Sequence, residues 1–376
     1  MNRFLTAFLG LSSLTLSACS TVLYIADTGV GQWKLMNRAR PVEEVLASPY
    51  TKEKTKSAIR TVIHVKEFAA RELGLKATKN YTSYVKLEGE YVSWAVSEAH
   101  PLRLEEKKWH FPIVGDIPYL GFFQEKKAHD YAENLRSESP EPKPDIWVRG
   151  VPAFSSLGWF SDPLYSSMIE DSGTTDIANL VIHESLHATV WVGDNVDFNE
   201  KLANFVGLEG SLAYLRYKKV PAEQVQEALA QVSGEKIFAS FMKSSISRYK
   251  ETVEVLANTN PTLASEKKKI FYDTLLTSYE TYFAEQSKTN KNIKFKKPRA
   301  KFKGWNNAAL LAYANYYSDF SVFEAMLKAC EGSLPRFVHW IVKEKENNDT
   351  NASGHFARAP EEYLSTLVAS HANCAP

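Results

Sequence analysis

His183-Glu184-Ser185-Leu186-His187 constrains this chain more than any other stretch. It lies inside Asp176-Ile-Ala-Asn-Leu-Val-Ile-His-Glu-Ser-Leu-His-Ala-Thr-Val-Trp191, a run apolar enough to form a buried helix. On a helix, residues four apart stand about 40° apart around the axis and one turn apart along it. Both imidazoles then reach one point, with Glu184 on the flank of the same site. A metal ion held there needs a third protein ligand and keeps a fourth position for water. The pattern can also arise by chance on an amphipathic helix, with the histidines bonded to carbonyls. A second, ligand-bearing element nearby is what separates the two readings.

Such an element follows. Val192-Gly193-Asp194-Asn195 is a turn whose residues tolerate the left-handed backbone that ends a helix. Asp197 is expected as the N-cap of a second helix running from Phe198 towards Tyr217, with Glu200 three residues on, as in a capping box. On that helix Glu200, Ala203, Asn204, Gly207 and Ser211 share one face. The face is small except for Glu200, so two helices can approach closely and Glu200 can reach the metal. Capping and ligation compete for this one carboxylate. Glu209, nine residues beyond, points the opposite way and is the weaker candidate. A metzincin is excluded, because Val190 and Gly193 stand where its glycine and third histidine belong.

The N-terminus bears on the compartment. Arg3 precedes a short apolar run, Phe4 to Ser17, too short for a comfortable membrane span. Leu16-Ser17-Ala18-Cys19 then reads as a lipobox. Residues 1–18 are expected to be a lipoprotein signal peptide, and Cys19 to carry the lipid, palmitate included. Ser20 at the next position points to the outer membrane of a Gram-negative cell envelope, with the protein facing the periplasm and held by lipid chains. Cys330 and Cys374 can pair in an oxidising periplasm or remain free.

The remainder is globular in composition, with 44% hydrophobic and 24% charged residues and a formal net charge of +1. That balance offers no reason to expect nucleic acid as a partner. The basic run from Lys288 to Lys303 reads first as a solvated loop, and second as a phospholipid contact.

Residues 19–376 are read as a single α+β domain. A small strand-containing half (19–175) precedes a mostly helical half (176–376). Helices are expected from Pro41, over Lys52–Leu73 with Gly74 as its stop, and over Gln124–Ser137. Tyr91–Val96 and the proline-broken Trp109–Phe123 read as short strands of a small sheet. Asp145–Phe154 reads as another strand. It leads into the turn-rich Ser155–Leu164, where an edge strand could bind substrate backbone by strand addition, or where Trp159 and Phe160 could simply be core. After residue 197, helices are expected over Ala222–Val232, Lys236–Ala257, Leu263–Ser287, Asn306–Ala329, Leu334–Glu346 and Pro360–Ser370.

Several of these segments together resemble a bacterial family of zinc aminopeptidases. They are Phe154-Ser-Ser-Leu-Gly-Trp-Phe-Ser-Asp-Pro-Leu164, His183-Glu-x-x-His187, Phe198-Asn-Glu-x-x-Ala203, Trp109-His-Phe-Pro-Ile-Val-Gly115, Tyr119-Leu-Gly-Phe-Phe123 and Asn306-Asn-Ala-x-Leu310. The Asn-Glu element is similar, more broadly, to that of the gluzincins, and implies a thermolysin-like architecture. The resemblance implies His183, His187 and Glu200 as ligands of one zinc ion, Glu184 as general base, and a zinc-bound water as nucleophile. Asn204 matches a position where gluzincins carry Asp, and it can still hydrogen-bond a ligand histidine. A G-x-M-E-N element for the substrate amine is absent. For the oxyanion, Tyr316 and Tyr317 are the candidates, with His355 behind them. The implied function is aminopeptidase hydrolysis of peptides. An endopeptidase of the same mechanism, a catalytically inactive zinc- or peptide-binding lipoprotein, and a structural envelope protein are the alternatives.

Overall fold

The computed structural model describes residues 24, 27–111, 115–152, 161–193, 195–289, 302, 304–316, 320–349, 355–370 and 374, with the backbone alone at 314–316, 348–349 and 355. The expected signal peptide (residues 1–18), Cys19, Trp159, Phe160, Tyr317 and most of the basic run lie outside these residues, as does the side chain of Tyr316.

Every described strand precedes residue 166, and every labelled element after it is helical. The fold is mixed α+β, as expected. Strand β1 (Arg40–Pro41) pairs antiparallel with β2 (Ser83–Val85), which pairs parallel with β8 (Leu164–Tyr165). A second sheet has β3 (Ser93–Ala99) at its centre, between β6 (Leu120–Phe122) and β7 (Asp145–Val151), both antiparallel to it. The register runs from Ser93 opposite Val151 to Ala99 opposite Asp145. Strands β4 (Trp109–Phe111) and β5 (Gly115–Ile117) form a separate hairpin. The expected single sheet is therefore three small ones. The reason is local: Gly115 takes a left-handed φ of +79° and Pro118 donates no ladder hydrogen bond, so β4 and β5 cannot continue into β6.

Helix α1 (Val42–Ala47) leads to α2 (Glu53–Glu72), whose buried stripe Ile59, Val62, Val65, Phe68 and Ala69 recurs at helical spacing. Gly74, at φ +71°, ends it as expected. Helix α3 (Glu125–Glu138) lays Ala128 and Ala132 on Val96, Leu120, Phe122 and Ile146 of the second sheet. After α4 (Ser166–Ile169) come α5 (Thr174–Thr189) and α6 (Val196–Tyr217), which pack antiparallel across a short turn. Helix α5 is clamped between α2 and α6 in the largest hydrophobic core.

The helical half departs from expectation in where its helices break. Ala222–Thr252 (α7) is one helix of 31 residues, not two. Gly234 lowers helix propensity but neither clashes nor removes a donor, so the ladder runs through it. The expected Leu263–Ser287 helix is instead α8 (Pro261–Asp273) and α9 (Leu275–Thr289). Thr274 separates them, its hydroxyl donating to the Ile270 carbonyl at 2.8 Å. The expected Asn306–Ala329 helix is likewise α10 (Asn307–Tyr316) and α11 (Ser321–Ala329). Helices α12 (Leu334–Asp349), α13 (His355–Arg358) and α14 (Pro360–Ala369) complete the chain. Cys330 and Cys374 form a disulfide, and Arg336 donates to the Cys374 carbonyl at 2.6 Å, so the C-terminal segment is pinned at the end of α11.

A buried polar hub joins the two halves. Lys268 Nζ lies 2.6 and 2.7 Å from the Asp145 carboxylate at the start of β7, and 2.7 Å from the Pro101 carbonyl. The Asn307 backbone N–H donates to the same carboxylate at 2.8 Å. Its side chain donates to the His100 carbonyl at 2.9 Å and accepts from the Tyr272 hydroxyl at 2.8 Å. Asn306 donates to the Ile146 carbonyl at 3.0 Å and caps Ala309. The Asn306-Asn307 pair thus holds α10 against the edge of β7.

Candidate metal centre

The histidines and Glu200 converge because two helices approach closely. A Cβ placed on Gly207 of α6 would lie 2.9 Å from the Asn179 carbonyl oxygen and 3.3 Å from His183 Cβ on α5. One on Gly210 would lie 2.9 Å from Ile182. The small face read from the sequence is therefore the contact face. The turn between the helices is locked by Asn199, which is 1% exposed. Its carboxamide accepts from the Val192 N–H at 2.9 Å and donates to the Val192 carbonyl at 2.8 Å. With Asn199 occupied in this way, its neighbour Glu200 turns towards α5.

His183 Nε2 and His187 Nε2 stand 3.0 Å apart, and each is 3.5 Å from an oxygen of the Glu200 carboxylate. A tetrahedral ion with bonds of about 2.05 Å would hold its ligand atoms about 3.3 Å apart. The three side chains match that spacing, and their chemistry, two imidazoles and one carboxylate, suits a divalent ion such as zinc. The capping-box role is ruled out for Glu200. Helix α6 begins at Val196 with Asn195 as N-cap, so Glu200 lies beyond the first turn. Glu209 is elsewhere, 2.8 Å from Lys236 Nζ.

Burial acts to raise the Glu200 carboxyl, but the two histidines outweigh it and hold the group far below the usual carboxylate range. Burial likewise lowers His183. Its hydrogen bond to Glu200, the charges of Glu184 and Glu200 and a hydrogen bond to Asn204 outweigh that and raise it. Asn204 therefore touches His183. The His187 ring packs edge-on against His183 and Trp191, with centroids 4.6 and 5.5 Å away. Its buried Nδ1 has no partner among the described residues.

These groups line one wall of a cavity of about 2270 Å³. Glu184 lies on the same wall, half-buried. Trp147, Arg149, Gly150 and Val151 of β7 line the cavity as well, as do Tyr81, Asp162, Trp191 and Glu235. Tyr81 is 5% exposed, and Asp162 and Glu235 are each 6% exposed. The sequence reading missed Tyr81, Trp191 and Glu235 as cavity residues. Glu235 lies within a long helix whose register does not reveal a distant partner. Tyr81 sits in a loop with no periodicity to mark it. Of the expected oxyanion donors, Tyr317 and the side chains of Tyr316 and His355 lie outside the described residues.

No described helix is long and apolar enough to cross a membrane. Compared with known proteins, the chain matches the family model "Putative aminopeptidase" over residues 23–353. No curated protein and no solved structure matches it. The family match covers nearly the whole chain and includes every residue of the cluster: this protein belongs to the putative aminopeptidase family.

Proposed function

We propose that the protein is a zinc-dependent aminopeptidase, with His183, His187 and Glu200 holding one zinc ion and Glu184 as general base. The observation that carries this reading is the meeting of three ligand atoms at tetrahedral spacing on the wall of a large cavity. When bound, zinc supplies Lewis acidity towards the scissile carbonyl and towards water. Glu184 takes the proton from the attacking water and delivers it to the leaving nitrogen as the C–N bond breaks. Asn204 hydrogen-bonds the His183 ring and would hold its orientation when the ion is bound. The helix–turn–helix carrying these groups is read as thermolysin-like.

The cavity fits an extended peptide. One edge of β7 is taken by β3, and Trp147 and residues 149–151 line the cavity, where strand addition would present substrate backbone to the metal. An exopeptidase also needs an anion for the substrate's ammonium group, and the buried carboxylate Glu235 on the cavity wall supports that reading. A second reading, endopeptidase, is favoured by the cavity volume of about 2270 Å³, larger than the roughly 300–1,000 Å³ typical of small-ligand pockets. Residues 19–376 would act as one catalytic unit. The lipobox supports anchoring through lipid at Cys19, and the Cys330–Cys374 disulfide suits an oxidising envelope compartment; both support a position on the periplasmic face of the outer membrane.

Glu184→Gln tests the mechanism. The variant should keep stoichiometric zinc and lose hydrolysis of a tripeptide by at least about a hundredfold. Equal turnover in variant and wild type would support a binding protein contaminated by another peptidase. Absence of zinc from wild type purified without chelator would remove the metal reading. A tripeptide compared with its N-acetylated form separates the two peptidase readings, since an aminopeptidase cleaves only the free amine.

A further inference from the structure

Tyr81 occupies an unusual position for a bulky residue. Its φ is +64°, the left-handed region that side chains other than glycine adopt rarely and at a cost. The surroundings enforce that conformation. Its N–H donates to the Asp162 carbonyl at 2.7 Å, and the Asp162 N–H donates to Asn80 Oδ1 at 3.1 Å. The Asn80 carbonyl accepts from Lys66 of α2. On the far side, Thr82 accepts from the Val42 N–H at 3.1 Å and Ser83 enters β2. Two chain segments distant in sequence thus grip one residue and turn its ring into the cavity that holds His183, Glu184, His187 and Glu200.

The phenol is buried. Burial and then the nearby charges of Glu184 and Asp162 raise it well above the ordinary tyrosine value, so it keeps its proton through the neutral range. A protonated, pre-positioned O–H beside the general base is what a developing oxyanion requires.

We propose that Tyr81 is the oxyanion donor of the reaction, with Asn80 and Asp162 as its positioning residues; this rests on the peptidase reading above. As water adds to the scissile carbon, the carbonyl π pair moves onto oxygen, and the Tyr81 O–H hydrogen-bonds that oxygen without transferring its proton. Glu184 carries the water proton to the leaving nitrogen. When the C–N bond breaks, the pair returns to re-form the carbonyl, and Tyr81 is unchanged.

Tyr81→Phe removes the O–H and keeps the ring. Five quantities are measured on full-length protein: kcat and KM for a tripeptide, bound zinc, and affinity for a phosphinic dipeptide and for the product dipeptide. The expected result is a kcat lowered about 100- to 1,000-fold with KM within about twofold. Zinc and product affinity should stay unchanged, while phosphinate affinity falls in step with kcat. A kcat within about threefold of wild type, or equal losses of phosphinate and product affinity, would overturn the assignment. If the variant melts below assay temperature, 3-fluorotyrosine at position 81 replaces it. Altered kcat at constant KM and zinc then supports the role, and identical kcat overturns it. Wild type without any peptide hydrolysis would overturn the peptidase reading and this inference with it. Normal wild-type hydrolysis with an unaffected variant overturns this inference alone.

Discussion

Gly207→Ala adds one methyl group where the two ligand-bearing helices come closest. The new carbon would stand 2.9 Å from the Asn179 carbonyl oxygen and 3.3 Å from His183 Cβ, against about 3.5 Å for comfortable contact. The Asn179 side-chain amide is also in the way, but it can rotate. The Asn179 carbonyl cannot, because it belongs to the α5 backbone. The helices must therefore part by about half an ångström. Overpacking of this kind costs about 1–3 kcal/mol, and the better helix propensity of alanine returns about 1 kcal/mol. The fold should lose at most about 2 kcal/mol, a shift of a few degrees in melting temperature. The proposed metal centre is less tolerant. Ligand distances hold within about 0.2 Å, and Glu200 rides on the helix that moves. Zinc affinity should fall about 10- to 100-fold, as read by competition with a fluorescent chelator. Gly89→Ala is the control, because its added carbon meets nothing within 4 Å. If Gly207→Ala binds zinc and melts as wild type does, the claim that this close approach sets the ligand geometry is refuted.

Two further outcomes follow from the packing. Asp145→Ala strands the Lys268 ammonium, whose side chain is 17% exposed, and frees the Asn307 N–H. Urea unfolding should show a loss of about 3–5 kcal/mol, and a loss below about 1 kcal/mol would mean that the hub does not tie the halves together. Reducing the Cys330–Cys374 disulfide should cost about 2–4 kcal/mol in the same assay. Protein unfolded without reductant should show no free thiol at these two positions, and a count of two would disprove the pairing.

What could be read from the sequence was what depends on neighbours along the chain. The i, i+4 histidines, the small face of the following helix and the opposed directions of Glu200 and Glu209 are consequences of helical period, and the structure places all of them as that period requires. Gly74 marks a helix end through backbone chemistry that needs no partner. The continuity of α7 and the break at Thr274 were not legible, because there local preference is weak and packing decides. Nor could the sequence show that the loop at Asn80-Tyr81 meets Asp162, or that Glu235 lines the same cavity as the histidines. Those encounters join segments tens of residues apart. Only the closed tertiary structure, with Asn199 locking the helix turn and Asn307 bridging to Asp145, fixes which side chains share the cavity with His183, His187 and Glu200.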